Sequence, residues 1–200
     1  MTQAQAQRTV ATGHPCRPAS GYRLVVPGGW FAVDLEPGRR ERSVAALVKR
    51  QFAGIDNAPH LKAQAREQLL AQTLAAQAAG GLEMFLSLDP VAGIPLAASL
   101  VIFLAPPSGT QLATAGDLAR SLTNDGRHAT VVDLPAGQAV RTAGHRSSPD
   151  EPESATLEVF VPVPHNGEWL LLSFATPVSP LVPALTKLFD AICTTLRWDQ

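Results

Sequence analysis

The segment ATLEVFVPVPHNGEWLLLSFATP, residues 155–177, decides how the rest of the chain is read. Two runs that alternate apolar and other residues flank His165-Asn166-Gly167. A period of two is the pattern of a β-strand with one face buried, and Asn-Gly between two such runs predicts a hairpin. A two-residue type I′ turn needs positive φ at both central residues, here Asn166 and Gly167. In that register Leu170, Leu172 and Phe174 share one face. Downstream, Ser179-Pro180 opens a helix expected to run to about residue 196. Leu181, Leu185, Leu188, Ile192 and Leu196 step by three and four on its inner side, with Lys187, Asp190 and Arg197 outward.

Toward the N-terminus the same patterns recur. YRLVV (residues 22–26) and WFAVDL (30–35) predict two strands broken at Pro27-Gly28-Gly29, where the glycine pair permits positive φ. Two helices are expected next. Residues 42–53 bring Val44, Leu47, Val48 and Phe52 together. Residues 60–79 do the same with Leu61, Ala65, Leu69, Leu70, Leu74 and Ala78. Asn57 and Pro59 read as cap and first position of the second helix, and Gly80-Gly81 as its end. LEMFLSL (82–88) predicts a strand. PLAASLVIFLA (95–105) is almost wholly apolar and predicts a central strand buried on both faces. A short helix follows, closed at Asp125-Gly126. HATVVDL and QAVRTAGH then flank a turn at Pro135, and SSPDEPES (147–154) is expected as an acidic loop. Hairpins outnumber crossovers, so the expected class is α+β: an antiparallel or mixed sheet flanked by helices. Residues 1–20 show no apolar period and are expected to be a disordered tail, leaving 21–200 as a single α+β domain.

Composition excludes several roles. Hydrophobic residues make up 46% of 200 residues, enough for one core, and the formal net charge is −1. Nucleic acid and anionic membranes call for a basic excess. The run Arg39, Arg40, Arg42, Lys49 and Arg50, interleaved with Glu36 and Glu41, reads as a solvated helix start. The two cysteines, Cys16 and Cys193, form no disulfide framework or zinc spacing. Cys193 is expected to pack as a small hydrophobe. No apolar run approaches the roughly 20 residues a bilayer span needs, and no secretory signal is visible. No membrane insertion and a cytoplasmic location are expected.

No catalytic, cofactor-binding or metal-binding residue is assigned, and the expectation is that the protein is not an enzyme. Gly28-Gly29 precedes a strand instead of opening a helix and lacks the Lys-Ser/Thr of a phosphate loop. His14, His60, His128, His145 and His165 fall at turns and element ends without metal spacing. Gly-x-Ser-x-Gly is absent. Asp133, Glu158 and Asp190 lie near apolar segments, but nothing in the sequence pairs them. Trp30 and Trp198 are expected as core anchors.

LEVFVPVPHNGEWLLLSFATPVSPLVPALTKLFDAICTTLRW, together with YRLVVPGGWFAVDL, resembles the PsbP-like superfamily. Pro27 and Trp30 match its first strands; Phe174, Thr176, Pro177, Phe189, Ile192 and Trp198 match its last hairpin and helix. The superfamily includes extrinsic photosystem proteins, a Ran-binding import factor, LpqN-like actinobacterial lipoproteins and effector chaperones of type VI secretion. The resemblance implies an α/β/α sandwich that binds other molecules without a shared active site. The expected function is a non-catalytic protein-binding accessory or chaperone-like domain of a bacterial secretion or assembly system. The alternative is a small-molecule or lipid carrier, because the segment from Ile94 to Leu104 is so apolar. An enclosed apolar cavity would favour the carrier, and an exposed apolar patch above a few hundred Å² the binder.

Overall fold

The computed structural model describes residues 9–10, 21–55, 57–87, 90–91, 94–95, 97–106, 114–148, 151–165 and 167–199. In chain order the elements are β1 (Thr9–Val10), β2 (Tyr22–Arg23), β3 (Trp30–Val33), α1 (Arg40–Gln51), α2 (Pro59–Ala78) and β4 (Gly81–Ser87). Then come β5 (Pro90–Val91), β6 (Ile94–Pro95), β7 (Ala98–Ala105), α3 (Ala115–Asn124), β8 (Ala129–Leu134), β9 (Gly137–Ser148) and β10 (Glu151–Pro162). β11 (Trp169–Thr176), α4 (Val182–Cys193) and β12 (Arg197–Trp198) close the chain. The expected tail lies outside the described residues except for β1, which pairs with β2.

Seven strands form one antiparallel sheet in the order β3-β4-β7-β11-β10-β9-β8. All six pairings are antiparallel, and consecutive strands of this sheet are neighbours except β7 and β8, which α3 links across to the far edge; this agrees with the hairpin-rich pattern of the sequence. One face carries the main core. Leu100, Ile102, Leu157, Val159, Leu172 and Phe174 point to Leu185, Phe189 and Ile192 of α4. Trp30 meets Phe189 edge to face, with ring centroids 6.3 Å apart. At the far end of this layer β2 pairs with β12, and the Trp198 indole N–H donates to the Ala136 carbonyl at 3.0 Å. The other face is covered at two ends. Val33, Leu35, Met84 and Leu86 pack on α1 and α2. Trp169, Val140 and Phe160 pack on α3, which starts at a capping box between Thr114 and Asp117.

Several expectations need correction. The 155–177 hairpin is present, but Pro162 opposes Trp169 and the Val163 N–H donates to Glu168 O at 2.8 Å. The connection is therefore the four residues 164–167, not an Asn-Gly pair. Positive φ falls on His165 (67°) and Gly167 (73°), and Asn166 lies outside the described residues. Neither Gly28 nor Gly29 takes positive φ; a turn closed by Trp30 N–H to Pro27 O at 2.9 Å makes the break. Helix α4 stops at Cys193, so Leu196 reaches the core from the turn beyond it, and Phe189 is buried more deeply than Leu188. Asp190 is not a plain outward residue, since Arg141 of β9 donates to it at 2.9 Å. The expected acidic loop is largely strand, because β9 runs to Ser148 and β10 begins at Glu151.

The second helix keeps Ala65, Leu69 and Leu70 of the expected side against the core, but the rest of that side differs. Leu61 and Leu74 are about half exposed, while Thr73 and Ala76 are buried. The Thr73 hydroxyl is satisfied by donating to Leu70 O at 2.9 Å, so its burial leaves no orphan polar group. Ala58, not Asn57, is the residue before the helix, with Pro59 at its first position. At its far end Gly80 takes φ 82°, and a Cβ on Gly81 would stand 2.7 Å from Ala76 O. The glycine pair thus turns the chain tightly from helix into β4. Arg40 also departs from expectation. It is only 4% exposed, and its guanidinium donates to Leu35 O at 2.8 Å and to the Gln77 side chain. Arg39, Arg42, Lys49 and Arg50 are exposed, as a solvated helix start requires.

Candidate functional site: an open groove on the sheet

The largest correction concerns β7. It is the third strand of the sheet, yet only one of its faces is fully buried. Ala98, Leu100 and Ile102 are covered by α4's layer, whereas Ser99, Val101 and Phe103 are half-buried. The reason is the placement of the helices. α1 and α2 lie over β3 and β4, α3 lies over β8 and β9, and the middle of that face is left between them.

The result is a groove of about 550 Å³. Met84, Leu86, Ser99, Val101, Phe103 and Ala175 form its floor, and Leu69, Gln72, Ala75 and Ala76 of α2, with Ala79 just past its end, form one wall. Cross-strand register explains the floor. Leu86, Ser99, Ala175 and Thr156 stand in one row, and Met84, Val101, Ser173 and Glu158 in the next. Side chains along one row share a face, so small residues at Ser99 and Ala175 lower the floor between larger neighbours. The α2 wall is low for the same reason, since three of its lining residues are alanine. Leu61 lies eleven residues, about three turns, before Gln72, which puts it on the same side of the helix. It is about half exposed, beyond the residues that line the groove.

A second hollow of about 200 Å³ lies on the opposite face, under the chain from Tyr22 to Gly28. Trp30, Phe85 and Ile102 line it, and Tyr22 Oη donates to the Glu83 carboxylate at its edge. It is a small, partly open hollow at the edge of the main core, with Gly28 exposed at its rim.

The groups weighed for chemistry are dispersed. Glu158 lies on the groove face, where Arg127 pairs with it, and Asp190 lies on α4 beneath the other face, paired with Arg141. Asp133 is exposed on the edge strand β8. His60, His128, His145 and His165 are exposed, with His145 3.7 Å from Glu153; His14 lies outside the described residues. No group of three His, Cys, Asp or Glu among the described residues is placed to hold a metal ion. Burial first, then the Asp190 carboxylate, pushes the Cys193 thiol up to about 12, so the sulfur is a protonated core atom. None of the described helices is long and apolar enough to cross a membrane.

The fold and site define an α+β domain in which an antiparallel sheet is flanked by helices and one sheet face carries an open apolar groove. Compared with solved structures, the chain is similar to the solution structure of cyanobacterial PsbP (CyanoP) from Synechocystis sp. PCC 6803. The two are 16% identical, the TM-score is 0.46, and the match covers 94% of this chain and 98% of that one. No protein-family model matches the chain, and no curated protein matches it. Sequence reasoning missed the groove because the nearly continuous apolar run of β7 reads as a strand buried on both sides. The available signal was Ser99, a polar residue inside that run.

Proposed function

We propose that this protein is a non-catalytic binding domain that seats an apolar segment of another protein in the groove on β7. The observation that supports this is the groove in the middle of the sheet, where Val101 and Phe103 are half-buried beside the buried Met84, Leu86 and Ala175, while Ala98, Leu100 and Ile102 of the same strand are buried on the other face. The sequence resemblance supports an accessory or chaperone-like role in a bacterial secretion or assembly system. The carrier reading has one observation in its favour, a volume within the range of small-ligand pockets. The openness of the floor favours the protein binder.

Photo-crosslinking tests the proposal. A benzophenone side chain at Ser99, on the groove floor, should give a discrete protein adduct in the native host. The same probe at Glu67, an exposed position of α2 outside the groove lining, should not. Equal adducts from both positions, or none from Ser99, would overturn it. A small apolar ligand retained by the purified chain in native mass spectrometry, with no protein adduct, would favour the carrier.

A further inference from the structure

The groove is electrically lopsided. Arg146 is the one charged side chain among the described residues that line it. It stands opposite Ser154 in the register of β9 and β10, at the end marked by Ala97 and Pro177, while Phe103 marks the other end. Ala97 to Phe103 is six residue steps of extended chain, about 20 Å. The other arginines of these strands have carboxylates. Arg127 from the turn before β8 meets Glu158, and Arg141 of β9 meets Asp190. Arg146 is exposed and makes no ion pair within the described residues. A guanidinium beside an apolar wall is well placed for a carboxylate, which it can take through two parallel N–H donors. A cationic group at that end would instead meet like charge.

We infer that the segment seated in the groove carries an Asp or Glu at one end of its apolar run, and that it lies with that end at Arg146. This rests on the protein-binding reading above and adds the chemistry and direction of the partner. Apolar side chains occupy the floor from Val101 to Phe103, and the carboxylate closes the groove at the Ala97 end. The pairing fixes direction more than strength, because an apolar trough alone accepts a segment either way round.

The test is selection of peptides of about 12 residues from a random phage library on the full chain. Selected peptides are then labelled and titrated by fluorescence anisotropy. Gln72→Trp fills the groove from an exposed wall position, and Arg146→Glu reverses the charge at an exposed position, so thermal melts should show both variants folded. The expected peptides have an apolar run with Asp or Glu on one flank. Gln72→Trp and Arg146→Glu should each weaken binding about tenfold or more, near 1.4 kcal/mol. Replacing the peptide's acidic residue by Gln should remove the difference between wild type and Arg146→Glu. If no peptide is selected, or Gln72→Trp binds like wild type, the groove reading falls and this inference with it. If Gln72→Trp blocks binding while Arg146→Glu does not, the groove stands and the carboxylate inference is overturned.

Discussion

Phe174 of β11 stacks on Phe189 of α4, with ring centroids 4.6 Å apart and planes inclined by 19°. Both rings are buried, and Trp30 meets Phe189 edge-on, so three aromatic side chains tie the first strand of the sheet to its last helix. Removing Phe189 or Trp30 leaves a cavity that a β-sheet cannot close. Phe189→Ala and Trp30→Ala should each cost about 3–5 kcal/mol, read from chemical denaturation. Lys187→Ala, on the exposed side of the same helix, should stay within about 0.5 kcal/mol of wild type. A Phe189→Ala protein that melts with the wild type would contradict the claim that α4 belongs to the main core.

Arg40 is a buried cation held by neutral acceptors, Leu35 O and the Gln77 amide, and its Nε has no partner among the described residues. Gln77 is half-buried, so Gln77→Glu places a counter-charge where the guanidinium already points. The expected gain is about 1 kcal/mol at pH 7, below the value of a fully buried pair because Gln77 retains solvent contact. The new carboxylate would have a folded pKa below its unfolded value of about 4.3. The gain is therefore fully present above that value and is lost as pH falls through the folded pKa. Denaturant midpoints of both proteins at pH 7 and pH 3 check this; a difference that is equal at the two pH values would rule out the ion pair.

His165 holds φ 67° in the hairpin loop. Left-handed backbone costs a side-chain-bearing residue roughly 1 kcal/mol, and glycine avoids the clash. His165→Gly should raise stability by up to about 1 kcal/mol, while His165→Val, β-branched, should lower it. The order of their thermal midpoints is the measurement. A Val variant at least as stable as the Gly variant would show that the loop does not hold His165 in this conformation.

Cys193 is buried and its thiol stays protonated far above neutral pH. In a Cys16→Ser background the native protein should therefore be inert to Ellman's reagent at pH 8 and should release one equivalent of thiol after unfolding. Rapid native labelling would mean that α4 lifts from the sheet on the timescale of the assay.

Much of this architecture is a local property of the chain. Alternation in residues 155–177 determined β10 and β11 and the face shared by Leu170, Leu172 and Phe174, because strand side chains strictly alternate. The three- and four-residue steps to Leu185 and Ile192 determined the inner side of α4. The turn residues around Gly80 and Gly126 determined where helices end, since each takes positive φ. Other features were decided only when distant elements met. Helix α2 is rich in alanine and has apolar residues on most of its circumference. Its sequence therefore marks no single inner side, and contact with β4 and α1 buried Thr73 and Ala76 while leaving Leu61 and Leu74 out. The run in β7 is apolar enough to be covered twice, but coverage depends on where α1, α2 and α3 land, and they land at the two ends of that face. The groove, the burial of Arg40 and the position of Arg146 at the groove's end all follow from that placement. They depend on residues tens of positions apart in the chain, a separation that local periodicity does not encode.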